Sequence, residues 1–239
     1  MKKPIVVANW KATKTIKETI EWVKAAKPDL EKIDYADIVI CSPFTSLPAL
    51  ASLLDKSNVK VGAQNVSRFK KGAYTGEVTV EMLDGLAQYC IVGHSERRKY
   101  FGEKDDDVIE KVKNLLEHSI TPVLCVSNLD QLDSYIERGQ MIIQEAEKII
   151  FVYEPPTAIS GGGAYRPENP EEANNNAGKI EQKIGKEIAV IYGGSVNPSN
   201  VALFCSQTNI KGVLPGQAST DSDTFLSLLN AIRPSGLVK

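Results

Sequence analysis

Eight short apolar runs, each followed by a polar segment able to coil into a helix, constrain this chain more than any other feature. They fall at residues 5–8, 38–41, 59–61, 89–92, 121–126, 149–153, 188–192 and 210–214. Each is nearly continuous in apolar residues rather than alternating, the pattern of strands covered on both faces. Helix-like segments lie between them at 15–26, 105–118, 129–148, 170–184, 198–205 and 221–232, with shorter ones at 46–54 and 80–87. In the first, Ile16, Ile20 and Val23 share one stripe; in the second, Val108, Val112, Leu115 and Leu116 do. Eight β-α units without a linker point to one closed (β/α)8 barrel domain spanning residues 1–239, eight parallel strands inside an outer ring of helices. An open doubly wound sheet is the competitor, and it is disfavoured because no G-x-G-x-x-G follows the first run.

Composition excludes several classes of function. The chain has 239 residues, 42% of them hydrophobic, enough for a sizeable core. Its 28 Lys and Arg against 30 Asp and Glu leave a formal charge of -2, which favours neither nucleic acid nor an anionic membrane as partner. Cys41, Cys90, Cys125 and Cys205 are widely spaced with no C-x-x-C, so neither a zinc site nor a redox pair is indicated. The first three sit at or near the ends of apolar runs and are expected to be reduced, buried thiols. The N-terminal apolar run is too short for a signal peptide, and a soluble cytoplasmic protein is expected. Asn65-Val66-Ser67 fits the glycosylation pattern, but without a secretory signal the match carries no weight.

In a barrel of this kind, function sits on the loops after the strands. Those positions here are Asn9-Trp10-Lys11, Ser42-Pro43-Phe44, Gly62-Ala63-Gln64-Asn65, Gly93-His94-Ser95-Glu96, Ser127-Asn128, Glu154, Gly193-Gly194-Ser195 and Pro215-Gly216-Gln217. Glu154 ends an apolar run and is followed by Pro155-Pro156 and then Gly161-Gly162-Gly163, a carboxylate on a rigid strand end beside a loop stiff at one end and loose at the other. That suits a general base shielded from water; a helix-capping glutamate is the plainer reading. Lys11 directly follows a buried strand, where an ammonium meets an anion or a reacting oxygen, or else snorkels, and Asn9 is placed to hold that ammonium by a hydrogen bond. His94 precedes a helix start, whose positive end favours a neutral imidazole able to donate to a carbonyl oxygen; a structural histidine is the alternative. Glu96, Arg97 and Arg98 read as a structural charge cluster. The glycine-rich ends of the seventh and eighth strands expose backbone N–H groups as a phosphate cradle, although a tight turn accounts for either one singly. No Walker loop and no metal-ligand cluster is visible. A base, a neutral electrophile, a cation and a phosphate cradle suit proton abstraction beside a carbonyl in a small phosphorylated substrate.

Ala8-Asn9-Trp10-Lys11, Gly62-Ala63-Gln64-Asn65, Gly72-Ala73-Tyr74-Thr75-Gly76-Glu77, Gly93-His94-Ser95-Glu96-Arg97-Arg98, Tyr153-Glu154-Pro155, Tyr192-Gly193-Gly194-Ser195 and the segment 212–219 together resemble the triosephosphate isomerase family, in order from the first strand to the eighth. The resemblance implies a TIM barrel that interconverts dihydroxyacetone phosphate and glyceraldehyde 3-phosphate in glycolysis and gluconeogenesis, without cofactor or metal. It makes Glu154 the base, His94 the electrophile, Lys11 the electrostatic anchor, Asn9 its support and Glu96 a supporting carboxylate; a glutamate base with a neutral histidine is this family's known pairing. It places the substrate phosphate on Ser160, Ser195, Gly216 and Gln217. It also implies a homodimer in which Thr75, on a long loop, supports the partner's Asn9 and Lys11; a self-packed surface loop is the alternative. The chain departs from the family at Pro156 and Thr157 where Val-Trp is usual, at Ser160-Gly161-Gly162-Gly163 where Gly-Thr-Gly-Lys is usual, at Pro215 and Gln217, and at Val126-Ser127-Asn128. A divergent barrel that binds a sugar phosphate or a protein partner without efficient turnover is the alternative function.

Overall fold

The structure, a computed structural model, describes residues 3–159 and 166–234. Eight parallel strands close into a barrel in sequence order: β1 (Ile5–Asn9), β2 (Asp37–Ser42), β3 (Lys60–Ala63), β4 (Tyr89–Val92), β5 (Thr121–Val126), β6 (Ile150–Tyr153), β7 (Ala189–Tyr192) and β8 (Gly212–Val213). All eight apolar runs become strands, and their alternation explains why both faces are apolar. Val7, Val39, Cys41, Ile91, Val123, Cys125, Val152 and Ile191 fill the barrel interior. Their neighbours Val6, Ala8, Ile38, Ile40, Val92, Leu124, Phe151 and Val190 face the surrounding helices.

Around the barrel run α1 (Ile16–Leu30), α2 (Leu47–Leu53), α3 (Ser95–Phe101), α4 (Asp105–Glu117), α5 (Leu129–Arg138), α6 (Met141–Gln144), α7 (Pro170–Ile184), α8 (Val201–Cys205) and α9 (Ser222–Ala231). Most begin where a side chain can cap them. Thr15 and Glu18 form a capping box on α1, and Asn128, Asn169 and Asp221 accept first-turn N–H groups of α5, α7 and α9. Among the described residues no helix is long and apolar enough to cross a membrane.

Three helical expectations need correction. Segment 129–148 is not one helix: α5 stops at Gly139, where an added Cβ would lie 2.9 Å from the Tyr135 carbonyl oxygen and 3.0 Å from Ile109, and only α6 and a 3-10 turn follow. Segment 80–87 forms just a 3-10 turn, Val80–Met82, before Gly85 reverses the chain at φ +72°. Conversely, α1 continues past Ala26 through Pro28. Its buried Trp22, Val23, Ala26 and Leu30 outweigh the one donor that proline removes.

Closure depends on one close approach. β8 pairs with β1 through Ile5↔Gly212 and Val6↔Val213. A Cβ on Gly212 would fall 1.9 Å from the Ile5 carbonyl oxygen and 2.6 Å from its nitrogen, both rigid backbone atoms. Gly212→Ala is therefore expected to cost about 3 kcal/mol or more, the upper part of the overpacking range. At this chain length that lowers Tm by roughly 6–12 °C, measured by thermal circular dichroism. A variant melting within about 2 °C of the parent would show that the β1–β8 seam closes without this contact.

Candidate active site

The strand alternation that fills the interior also aims the rim residues. Two positions beyond Val7 comes Asn9, and two beyond Val152 comes Glu154; both point inward and are buried. The main chain of Glu154 is held to β5 by its N–H on the Val126 carbonyl at 2.9 Å, and Pro155 follows at once. β4 ends at Val92, Gly93 turns at φ +72°, and His94 caps α3.

These elements bring Glu154 and His94 into contact. His94 Nδ1 accepts the Glu96 backbone N–H at 3.2 Å, which leaves Nε2 as the protonated nitrogen of the neutral ring. Nε2 lies 3.1 Å from Glu154 Oε1. Ser95, the first residue of α3, donates its N–H to Glu154 Oε2 at 2.9 Å and its hydroxyl to Oε1 at 3.0 Å. With 1% of its surface exposed, the carboxylate rests on the two Ser95 donors beside the imidazole rather than facing solvent. The sequence motifs give Ser95 no role. Its signal was available as the N1 position of the helix that His94 caps. Cys125 was also read only as a core thiol. Burial pushes it well above the ordinary cysteine range, and the neighbouring Glu154 charge adds to the rise.

Lys11 also lines the cleft, following the end of β1. Its backbone is left-handed at φ +51°, a conformation costly to a side-chain-bearing residue. Asn9 stabilises it by accepting the Lys11 backbone N–H at 3.1 Å. This corrects the expectation that Asn9 holds the ammonium, which is ion-paired to Glu96 instead. The charge cluster is thereby divided. Arg97 pairs with Glu103 at 2.6 Å, Arg98 with Asp105 at 2.7 Å, and Glu96 belongs to Lys11. Gly216 packs beside this pair, where a Cβ would sit 3.2 Å from Lys11 Cε and press on that side chain. Trp10 fixes the same strand end through its indole N–H on the Ser219 carbonyl at 2.9 Å.

A cleft of about 440 Å³ lies above these groups, lined by Lys11, His94, Gly194, Ser195, Gly216 and Gln217 among others. Ser195 lines it without offering a free donor, because its N–H and its hydroxyl both go to the Ala158 carbonyl, at 3.0 and 2.8 Å. Ser160 and the glycine run 161–163 lie outside the described residues. Thr75 is exposed and is not part of the cleft. Its loop closes on itself through Phe69 and Tyr74, stacked at 4.1 Å, and through Ser67 N–H on the Val78 carbonyl at 2.8 Å. All four cysteines are free, and Cys41, Cys90 and Cys125 are buried as expected. Among the described residues no group of three or more His, Cys, Asp or Glu could hold a metal ion.

The profile of the family described as triosephosphate isomerase matches residues 4–232. Relatives of that name include one from Solibacter usitatus, 38% identical, with 96% of this chain and 100% of the relative covered. Another, from Clostridium botulinum, is 36% identical over 96% of this chain and 100% of its own. A third, from Endomicrobium trichonymphae, is 35% identical over 96% and 98%. With the closed parallel barrel, a cleft lined by Lys11 and His94, and Glu154 buried against His94, this likeness over nearly the whole length means that the chain belongs to the triosephosphate isomerase family of enzymes.

Proposed function

We propose that this enzyme interconverts dihydroxyacetone phosphate and glyceraldehyde 3-phosphate through an enediolate, with Glu154 as the base. The observation that carries the reading is the contact between the buried Glu154 carboxylate and His94 Nε2 at 3.1 Å, with His94 and Lys11 both lining the cleft. Glu154 takes the proton from the carbon beside the carbonyl and returns it to the neighbouring carbon, while the hydroxyl proton passes from one enediolate oxygen to the other. His94 Nε2–H donates to the oxygen on which charge develops, and the Lys11 ammonium, held by Glu96, offsets that charge. The substrate phosphate sits on the side of Ser195, Gly216 and Gln217, with Ser160 as a further contact in the segment outside the described residues. Two exchanges precede chemistry in this reading. Substrate displaces Glu154 from Nε2, so that one event frees both the acid and the base. Phosphate displaces the Ala158 carbonyl from Ser195. Residues 1–239 form one barrel domain, and the enzyme works in the cytoplasm.

The same reading makes the enzyme an isologous homodimer. Tyr74, Met82, Tyr100 and Phe101 are large apolar residues left exposed, Phe101 by 71%. They lie on the loop that carries Thr75, on the turn after it and on α3. Exposed aromatics in this number suit a covered face. In the dimer Thr75 reaches the partner's Asn9 and Lys11.

Glu154→Asp draws the carboxylate back by roughly 1 Å, and a misplacement of that size costs about 100-fold in kcat. KM should change far less, because the phosphate contacts are untouched. A coupled assay with glyceraldehyde 3-phosphate reads both. Parental turnover in the variant would remove Glu154 as the base. A parent that binds the substrate without turning it over would favour the binding-only alternative.

Sedimentation equilibrium at micromolar concentration should return twice the chain mass. Thr75→Arg, which puts a charge into the covered face, should shift the protein toward monomer and lower kcat by about tenfold or more through the lost support of Lys11. A fully active monomer would take Thr75 out of the site.

A further inference from the structure

Outside the cleft, one carboxyl is drawn into the structure without a part in the reaction. Glu168 lies between the β6 rim and α7, two residues before Pro170. Its Oε1 accepts the Tyr153 hydroxyl at 3.1 Å, and the Tyr153 oxygen accepts the Asn176 amide at 2.8 Å. The Glu168 backbone N–H donates to the Tyr192 hydroxyl at 3.0 Å. Oε2 is buried with no hydrogen-bond partner among the described residues.

The two tyrosines occupy matched positions. Tyr153 ends β6 immediately before Glu154, Tyr192 ends β7 immediately before Gly193, and the two are register partners across the β6–β7 ladder. Both belong to the outer layer of the core, and Tyr192 is stacked on Phe204 at 4.1 Å. One residue therefore bridges the outer sides of the strand ends whose next residues face the cleft.

We propose that Glu168 is a positioning residue: by its carboxyl and its amide it ties Tyr153 to Tyr192, sets the spacing between Glu154 and the 193–195 turn, and loosens that tie when the carboxyl ionises. This rests on the reading of the cleft given under Proposed function.

The surroundings fix the direction of the effect. Tyr153 faces Glu168 from β6, Tyr192 from β7, and Asn176 and Glu172 from α7. Lys179 engages Asn176 Oδ1 at 3.4 Å, and Arg166 is exposed. Burial raises the Glu168 carboxyl above its ordinary value; the Tyr153 bond works the other way, and the negative Glu172 adds to the rise. A carboxyl with a raised value in the tied arrangement favours that arrangement while it is protonated. The advantage is lost as pH rises from the ordinary glutamate range through the raised value. The buried Oε2 supplies the reason, since an ionised oxygen without a donor carries an uncompensated desolvation cost.

Glu168→Gln keeps an acceptor for Tyr153 and cannot ionise. The test measures the Kd of 2-phosphoglycolate, a phosphorylated mimic of the enediolate, for parent and E168Q from pH 5 to pH 8 by calorimetry. The ratio of the two cancels titration of the ligand and of Glu154. It should rise with pH, shifting about five- to tenfold in favour of E168Q between the acid and the alkaline end. In a Tyr153→Phe background the same substitution should change little, because the tie runs through that hydroxyl. A ratio flat with pH, or an E168Q effect undiminished in Y153F, overturns the proposal. If the parent neither binds 2-phosphoglycolate nor isomerises, the isomerase reading fails instead. The difference in Tm between E168Q and parent then decides: growth from pH 5 to pH 8 supports the tie, and constancy removes it.

Discussion

Everything at the working end of this molecule depends on the two-residue alternation of parallel strands held in a closed ring. Closure leaves no edge, so each strand must satisfy an inside and an outside at once. Val7 and Val152 point in, Val6 and Phe151 point out, and the next inward positions are Asn9 and Glu154. A slip of one residue in β6 would bury Tyr153 in the barrel and turn Glu154 toward the helices. The seam between β8 and β1, with Gly212 against Ile5, is where the ring is narrowest in sequence support, since β8 has only two residues.

The polar groups that the alternation delivers are placed where water is scarce, and each is then met by a partner. Glu154 receives two donors from Ser95 and lies against His94, and Lys11 receives Glu96. The pairs differ in kind. The first is nearly dry and made of hydrogen bonds from a helix start. The second is partly exposed and ionic, and it sits beside a strained backbone that Asn9 stabilises. Groups whose orientation the fold fixes suit a site that must stabilise charge.

Much of this was legible in the residues, and what was not has physical reasons. Strand identity followed from apolar runs bounded by rim residues, because burial on both faces leaves no other pattern. Helix ends were harder. The break at Gly139 comes from the close approach of Ile109 and the Tyr135 carbonyl, which involves a residue thirty positions away. Side-chain partners were least legible. The order Asn9-Trp10-Lys11 suggests a bond between the Asn and Lys side chains, but the left-handed turn at Lys11 presents its N–H instead and sends the ammonium to Glu96. Ser95 escaped notice because the N1 residue of a helix gains its importance only when a strand end from elsewhere meets it. The residues outside the described segments, Ser160 among them, were read from motif alone.

The Ala158 carbonyl on Ser195 has a consequence for how tightly such a cleft can hold what enters it. The amide and the hydroxyl of Ser195 are already satisfied before any ligand arrives. An oxyanion that takes them exchanges one acceptor for another, so the count of hydrogen bonds stays the same and only the difference in their strength contributes. Arrival and departure are then closer to an even trade than a site of bare donors would permit. A catalyst that must let go of its product as readily as it takes up its substrate is served by a rest state that keeps its donors occupied.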